Sequence, residues 1–561
     1  MLPVVFGLAV FAFALAYRFY GAWLSRRFDL DDTRPTPSNT MGDGVDYVPT
    51  RAPVLFGHHF SSIAGAGPIV GPIIAGLAFG WVPALLWIVL GSIFIGGVHD
   101  FASMVASIRN RARSIAEIAR LHMSRTGYIL FLIFIWLALV YVLIVFLDLT
   151  STTFAADGAV ATSSLAFIGL AVLLGFALNR LRARLGPVTA LFLVLLFGAL
   201  VLGAKAPLSL PGIQGSPKRT WDLLLLAYCF VASVTPVWAL LQPRDYLSSF
   251  LLYGSIVGGF VGILIGGIPV TYPAFTGLHA KIGPLFPILF ITVACGACSG
   301  FHSIVASGTS SKQLAREGDA KRIGYGAMLV EGVLAVIALG AVMILAPGSS
   351  LAGTNPMAVF AGGMGRFLSA IGIPESMGAH FGFLALSTFL LTTLDTCTRI
   401  SRYIFQELFG IPGAGGRAFG TAFSLALPLV FVFVALTDAE GNPVPAWRAI
   451  WPVFGATNQL LAGLALLVAS LWLRRSGKKA LFTLVPMVFM VVMTLWALGI
   501  LILGGGQTGI VRAIAVVLFL LALVLVAQAW RAFRTPAPAA PPATASNRRR
   551  RRCGNRSRAG V

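Results

Sequence analysis

The sequence predicts an all-α polytopic membrane protein of about fifteen transmembrane helices with a five-plus-five inverted-repeat core. Three observations carry this. The 561 residues are 57% hydrophobic and only 11% charged, with mean hydropathy +0.88, far from a soluble composition. Apolar runs long enough to cross roughly 30 Å of hydrocarbon recur along nearly the whole chain and leave no room for a sizeable soluble domain. Two of these runs are interrupted by proline at membrane depth.

The runs read as spans 2–24, 58–80, 82–108, 127–148, 163–181, 187–204, 223–243, 250–270, 284–308, 323–346, 379–398, 418–437, 447–472, 480–504 and 510–531. Charge tests that reading, because Lys and Arg concentrate in cytoplasmic loops. Of 41 basic residues, 34 fall on one side of the membrane and seven on the other, which places the N-terminus outside and the C-terminus in the cytoplasm. The first run has its arginines after it rather than before, the reverse of a secretory signal, and reads as a retained helix. The net charge of +22 is accounted for by these loops and by a tail of Pro, Ala and five consecutive arginines. It therefore implies contact with anionic lipid rather than nucleic acid.

Residues 56–80, FGHHFSSIAGAGPIVGPIIAGLAFG, form the first interrupted run. Pro68 and Pro72 would leave the carbonyls of Ala64 and Pro68 without donors in a regular helix, and lipid supplies no substitute. Such a break survives only against protein or a water-filled cavity, the usual setting of a solute site. A second interruption is read at 223–246, where Pro236 and Pro243 would free the carbonyls of Ala232 and Ala239. Counted from the first broken span, it is the sixth, running the opposite way, as a five-plus-five inverted repeat requires. The organisation expected is an N-terminal helix and loop (1–57), a transport core (58–400), accessory helices (401–531) and a disordered basic tail (532–561). The match of FASMVAS at 101–107 with FHSIVAS at 301–307 does not fit that pairing and reads as chance.

Several longer stretches carry a family resemblance: DYVPT at 46–50, LFGHHFSSIAGAGPIVGP at 55–72, HDF at 99–101, PVWALLQPRDYLS at 236–248, CGACSGFHSIVASGTSSKQL at 295–314, GYGAMLVEG at 324–332, LDTCTR at 394–399 and WPVFGATNQLLA at 451–462. In that order they resemble the carbon starvation protein A family of bacterial inner-membrane transporters, over most of the chain. The resemblance implies secondary active uptake of pyruvate or a related small carboxylate with protons, or of peptides, and kinship with the amino acid, polyamine and organocation superfamily. The chain is shorter than longer members between 347 and 378. It also has Leu386 where the family pattern implies a Glu.

A small carboxylate needs positive electrostatics without a fixed cation, and the N-terminus of a half-helix supplies it. The backbone of Ala64, Gly65, Ala66 and Gly67 is the expected substrate site, facing Ser233 and Thr235 of the second broken span, with Ser299 and His302 nearby. Proton coupling needs a titratable group within the membrane. Glu331 ranks first, having no basic neighbour one turn away, so that burial disfavours its charged form and suits it to carry a proton. Asp100 follows, then Asp395, each with a salt bridge to Arg109, Arg399 or Arg402 as its structural alternative. His58 and His59 precede the first break as possible relays. Arg244 and Asp245 are expected to pair, and Asn458 and Gln459 to hydrogen-bond between helices outside the core. Cys295 and Cys298 form a C-x-x-C inside an apolar run and read as packing residues. No cofactor is expected beyond the proton, and the substrate is a small organic acid or a peptide; the oligomeric state stays open. A channel and a membrane-embedded enzyme are the readings from other classes. The adjacent histidines of HHF do not make the i, i+4 pair of a zinc helix.

Overall fold

The computed structural model describes residues 1–534 except 44–46, 237–238, 347, 354, 412, 438–441 and 505–508. The basic tail beyond Arg534, with Cys553, therefore lies outside the described residues. Most of those described are helical, and strand is confined to two short two-stranded ribbons, His279–Ala280 with Gly283–Pro284 and Leu436–Thr437 with Pro443–Val444. Twelve helices are long and apolar enough to cross a membrane, or thirteen when the bent pair Ala52–Ile63 and Gly67–Phe79 counts as one span. Two of the fifteen expected spans fall short of that test. Pro217–Val234 carries Lys218, Arg219 and Asp222, and 285–308 is divided into three short helices.

Eight helices position the site. In chain order they are α1 (Ala52–Ile63), α2 (Gly67–Phe79), α3 (Gly97–Arg109), α4 (Arg125–Ala156), α5 (Gly300–Gly308), α6 (Ala327–Met343), α7 (Glu375–Phe409) and α8 (Ala446–Arg475). The axis bends by 47° between α1 and α2. Helix α8 is buried along its whole apolar window, whereas Leu185–Lys205 is only 22% buried there. The first is thus a central helix and the second faces lipid, where an apolar surface is the stable one.

The segment that meets the first break is 285–308, not 223–246. A Cβ on Gly67 would lie 2.5 Å from Cβ of Cys295, and one on Gly71 would lie 2.5 Å from the Thr292 carbonyl. Further along, His59 meets Ser310. Sequence numbers fall on one segment as they rise on the other, so the two broken spans cross antiparallel with their breaks side by side. Each is followed by a span containing a π-helical stretch, Ser92–Gly96 in one half and Lys321–Gly326 in the other, and then by an over-long helix, α4 or α7. The halves thus repeat an order of elements with opposite direction at the break.

The interruption read at 223–246 is a connection between two separate helices, Pro217–Val234 and Leu241–Ile265. Pro236 sits in the connection and Pro243 in the first turn of the second helix, where an N–H has no intrahelical partner to lose.

Candidate functional site

Between α1 and α2 the chain leaves the helix at Ala64 (φ −77°, ψ 64°), and α2 restarts at Gly67. Opposite, Cys298 and Ser299 are extended (φ −164°, ψ 104° and φ −102°, ψ 125°) before α5 begins. Both half-helices therefore present their N-termini at the same place. Among the described residues, the N–H groups of Ala66, Gly67, Ser299 and Gly300 meet no acceptor. Two positive helix ends with free donors converge, which is an anion-binding arrangement.

The space between them is a small pocket with an open mouth. Gly65, Gly67, Pro68, Cys295 and Ser299 line it from the two breaks. Ile63, Val142, Phe146, Phe301 and Phe454 provide apolar walls, and Thr393 and Asn458 add polar groups. No charged side chain reaches it. Glycine is required where α7 meets the first break, since a Cβ on Gly65 would stand 2.5 Å from Oγ1 of Thr393. Ala64 and Ala66 are buried beside the pocket.

Asn458, from the middle of α8, organises the far break. Its Oδ1 accepts from the Phe301 N–H at 3.1 Å, its Nδ2 donates to Cys295 Sγ at 3.1 Å, and its carboxamide exchanges hydrogen bonds with Ser299 Oγ. It joins helices as expected, yet it does so inside the pocket from a segment read as accessory.

Next to the pocket, on the Ile63 side, lies a buried ionisable cluster. His302 Nδ1 is 3.0 Å from Asp100 Oδ2, and its Nε2 is 3.4 Å from Glu331 Oε2. His99 Nδ1 is 2.7 Å from the other Asp100 oxygen. His302 also engages the Ile63 backbone, the last residue of α1. All four side chains are at most 1% exposed, and neither Glu331 oxygen has a hydrogen-bond partner. Three residues singled out from sequence, Asp100, His302 and Glu331, thus meet in one place. Asp100 is not paired with Arg109, which binds Glu317 at 2.6 Å instead.

The other expected residues are elsewhere. Ser233 Oγ pairs with Thr421 Oγ1 at 3.0 Å, and Thr235 bonds back to Val231. Neither faces the pocket, because the prolines after them make a turn rather than a break. Asp395 pairs with Arg244, not Arg399 or Arg402, and accepts from the Tyr228 hydroxyl at 2.7 Å. Arg244 and Asp245 do pair, at 2.9 Å. Arg399 binds the carbonyls of Ala232 and Thr235. His58 is half-buried, its carbonyl accepting from Ser61 and Ser62. His59 is buried, with Nδ1 2.8 Å from Ser310 Oγ. His99, Thr393, Phe146 and Asn458 were missed as site residues; only His99, inside the HDF stretch, stood in a motif beside a residue already chosen. Among the described residues no group of three or more His, Cys, Asp or Glu is arranged to hold a metal ion.

The model of the family described as carbon starvation protein CstA matches residues 2–352 and 349–497. The chain belongs to the CstA family. The Escherichia coli (strain K12) peptide transporter CstA is 36% identical over 560 residues, covering 87% of this chain and 79% of that protein. The pyruvate/proton symporter BtsT of the same organism is 33% identical over 586 residues, covering 88% and 80%. The Bacillus subtilis (strain 168) peptide transporter CstA is 31% identical over 545 residues, covering 85% and 87%. Membership of the CstA family makes this chain a multi-span membrane transporter rather than an enzyme.

Proposed function

We propose that this CstA-family chain takes up pyruvate or a related small carboxylate together with protons across a bacterial inner membrane, N-terminus outside and C-terminus in the cytoplasm. The observation that carries this reading is the convergence of two half-helix N-termini on a small pocket lined by no charged side chain. A carboxylate satisfies the free donors there, and the Ser299, Thr393 and Asn458 side chains give the pocket its polar lining. A peptide's ammonium group would find no carboxylate in that pocket. Peptide transport is the second reading, favoured by the names of the relatives.

Coupling follows from charge counting. Asp100 and Glu331 flank His302 with no other cation, so one proton on the imidazole and one on Glu331 make the trio neutral. An uncompensated charge at this depth is costly. His302 begins just beyond the free N-terminus of α5 and touches Ile63 at the end of α1, so substrate and proton act on the same two half-helices. With both loaded, the trio is neutral and the substrate's charge is met by the two helix ends; without the proton, the trio carries a negative charge beside the anion.

The test is uptake of labelled pyruvate by liposomes containing the purified protein, with and without an inward proton gradient, and with unlabelled dipeptides as competitors. Saturable, gradient-driven uptake insensitive to dipeptides is expected. Dipeptide transport without pyruvate uptake would overturn the substrate; unsaturable flux indifferent to the gradient would mean a channel.

A further inference from the structure

The segments FASMVAS (101–107) and FHSIVAS (301–307) pack against one another as the facing surfaces of α3 and α5. Their shared serines form a buried polar seam. Ser107 Oγ lies 2.9 Å from Ser311 Oγ and 3.0 Å from the Ser307 carbonyl, and Ser307 Oγ accepts from the Ile115 N–H at 3.0 Å. Ser103, Ser107, Ser303, Ser307, Ser310 and Ser311 are all fully buried.

The seam has a direction. Asp100, Ser103 and Ser107 occupy successive turns of one face of α3, covering about 10 Å at 1.5 Å per residue. The upper end is the carboxylate that binds His302. At the lower end Ser107 Oγ reaches the Arg113 carbonyl at 2.7 Å, in the loop at the basic face, near the Arg109–Glu317 pair. Ser103 Oγ, between them, has no partner, and neither does Nε2 of His59, whose other nitrogen binds Ser310. An unpaired buried hydroxyl costs free energy that alanine would avoid, so close helix packing alone does not account for Ser103.

We propose that this hydroxyl-lined seam, entered at Ser103 and flanked by His59, is the path by which the proton carried at Asp100, His302 and Glu331 leaves toward the basic face. The inference rests on the proton-coupled reading above. Each hydroxyl accepts a proton on an oxygen lone pair and gives up its own to the next acceptor; Ser103 touches no acceptor on either side, so the relay includes a water molecule between Asp100 and Ser103 and another between Ser103 and Ser107. The ionisable groups facing the path are His99 and Asp100 on α3, His302 on α5, Glu331 on α6 and His59 on α1, with Arg109 and Glu317 at its mouth.

Ser103→Ala tests it, because the substitution keeps the small volume and removes no hydrogen bond in the structure. Proteoliposomes are assayed for gradient-driven pyruvate uptake, for pyruvate counterflow, which needs no net proton release, and for thermal stability. Gradient-driven uptake should fall by about tenfold or more, as for loss of a proton-transfer group, with counterflow unchanged, thermal stability equal to or above that of the wild type, and Ser103→Thr active. Wild-type net uptake in Ser103→Ala, or an equal loss of counterflow, would overturn the path. Absence of gradient-driven uptake in the wild type would instead reject the coupled reading, and the path with it.

Discussion

Asp100 and His302, 202 residues apart in sequence, face each other at 3.0 Å with no exposed surface between them. The imidazole is held by Asp100 on one nitrogen and directed at Glu331 by the other. This asymmetry separates the two acids. Asp100 also meets His99, so each of its oxygens contacts an imidazole, while Glu331 has only the longer contact to His302 and two oxygens without hydrogen bonds.

In the proposed coupling, Glu331 is the acid whose proton comes and goes. Glu331→Gln should abolish accumulation of substrate against its gradient while exchange of labelled for unlabelled substrate persists, because the amide mimics the protonated state. Assaying the two fluxes side by side decides it. Unchanged concentrative uptake would remove Glu331 from the coupling mechanism.

The contact between Gly67 and Cys295 sets the width of the pocket. An alanine at 67 would place its Cβ 2.5 Å from Cys295 Cβ and 2.6 Å from Sγ, closer than packed atoms tolerate, so the breaks must spread at an overpacking cost of about 1–3 kcal/mol. Gly67→Ala should weaken substrate affinity without loss of membrane insertion, and Cys295→Gly in the same chain should restore it. Failure of the second change to rescue would show that the defect is not this contact. Gly67→Leu, which no neighbouring change accommodates, should lose binding altogether.

Asn458 separates stability from anion recognition. Its carboxamide caps α5 through the Phe301 N–H, and removing a cap of this type costs about 1 kcal/mol, so Asn458→Ala should lower thermal stability modestly. Asn458→Asp keeps the acceptor and adds a negative charge at a positive helix end, which is stabilising by itself. That variant keeps the cap but loses the Nδ2 donations to Cys295 and Ser299; it should still insert and fold, yet lose pyruvate uptake by about tenfold or more, because a fixed carboxylate repels the substrate's own. Full uptake by Asn458→Asp would place the substrate carboxylate elsewhere.

The first break was legible because Pro68 and Pro72 announce it, and Glu331 because a lone acid in an apolar helix is conspicuous. The second break was not, because it contains no proline: Gly296, Cys298, Ser299 and Gly300 permit an extended stretch without requiring one, and only contact with α2 and Asn458 holds it. Pro236 and Pro243 misled because prolines also mark an ordinary connection between two helices; at the first break too Pro68 stands in the first turn of α2 and Pro72 inside it, so the prolines marked the place rather than freeing the carbonyls there. Asn458 looked like a helix-to-helix contact, and its partner proved to be a helix end in the pocket. The FASMVAS and FHSIVAS match, dismissed for not fitting the repeat, reflects two surfaces shaped to pack on each other.

Outside the spans, His122 closes the short helix Ile115–His122 against the end of α8, where Arg475 Nη1 donates to its Nδ1 at 3.0 Å. Burial, with the Arg475 charge adding to it, lowers the imidazole pKa to about 4. The folded protein thus keeps His122 neutral over a range in which the unfolded chain has already taken up a proton. The contribution of this contact is complete above about pH 6.5, declines as pH falls toward 4, and changes no further below that. His122→Gln offers Arg475 a carbonyl acceptor that does not titrate. Thermal unfolding in detergent between pH 7 and 4 should therefore show a shallower loss of stability in the variant than in the wild type, with the two curves closest at pH 7. Parallel curves would mean that the proton reaches His122 in the folded state as readily as in the unfolded one, and that the junction between this helix and α8 is open to water.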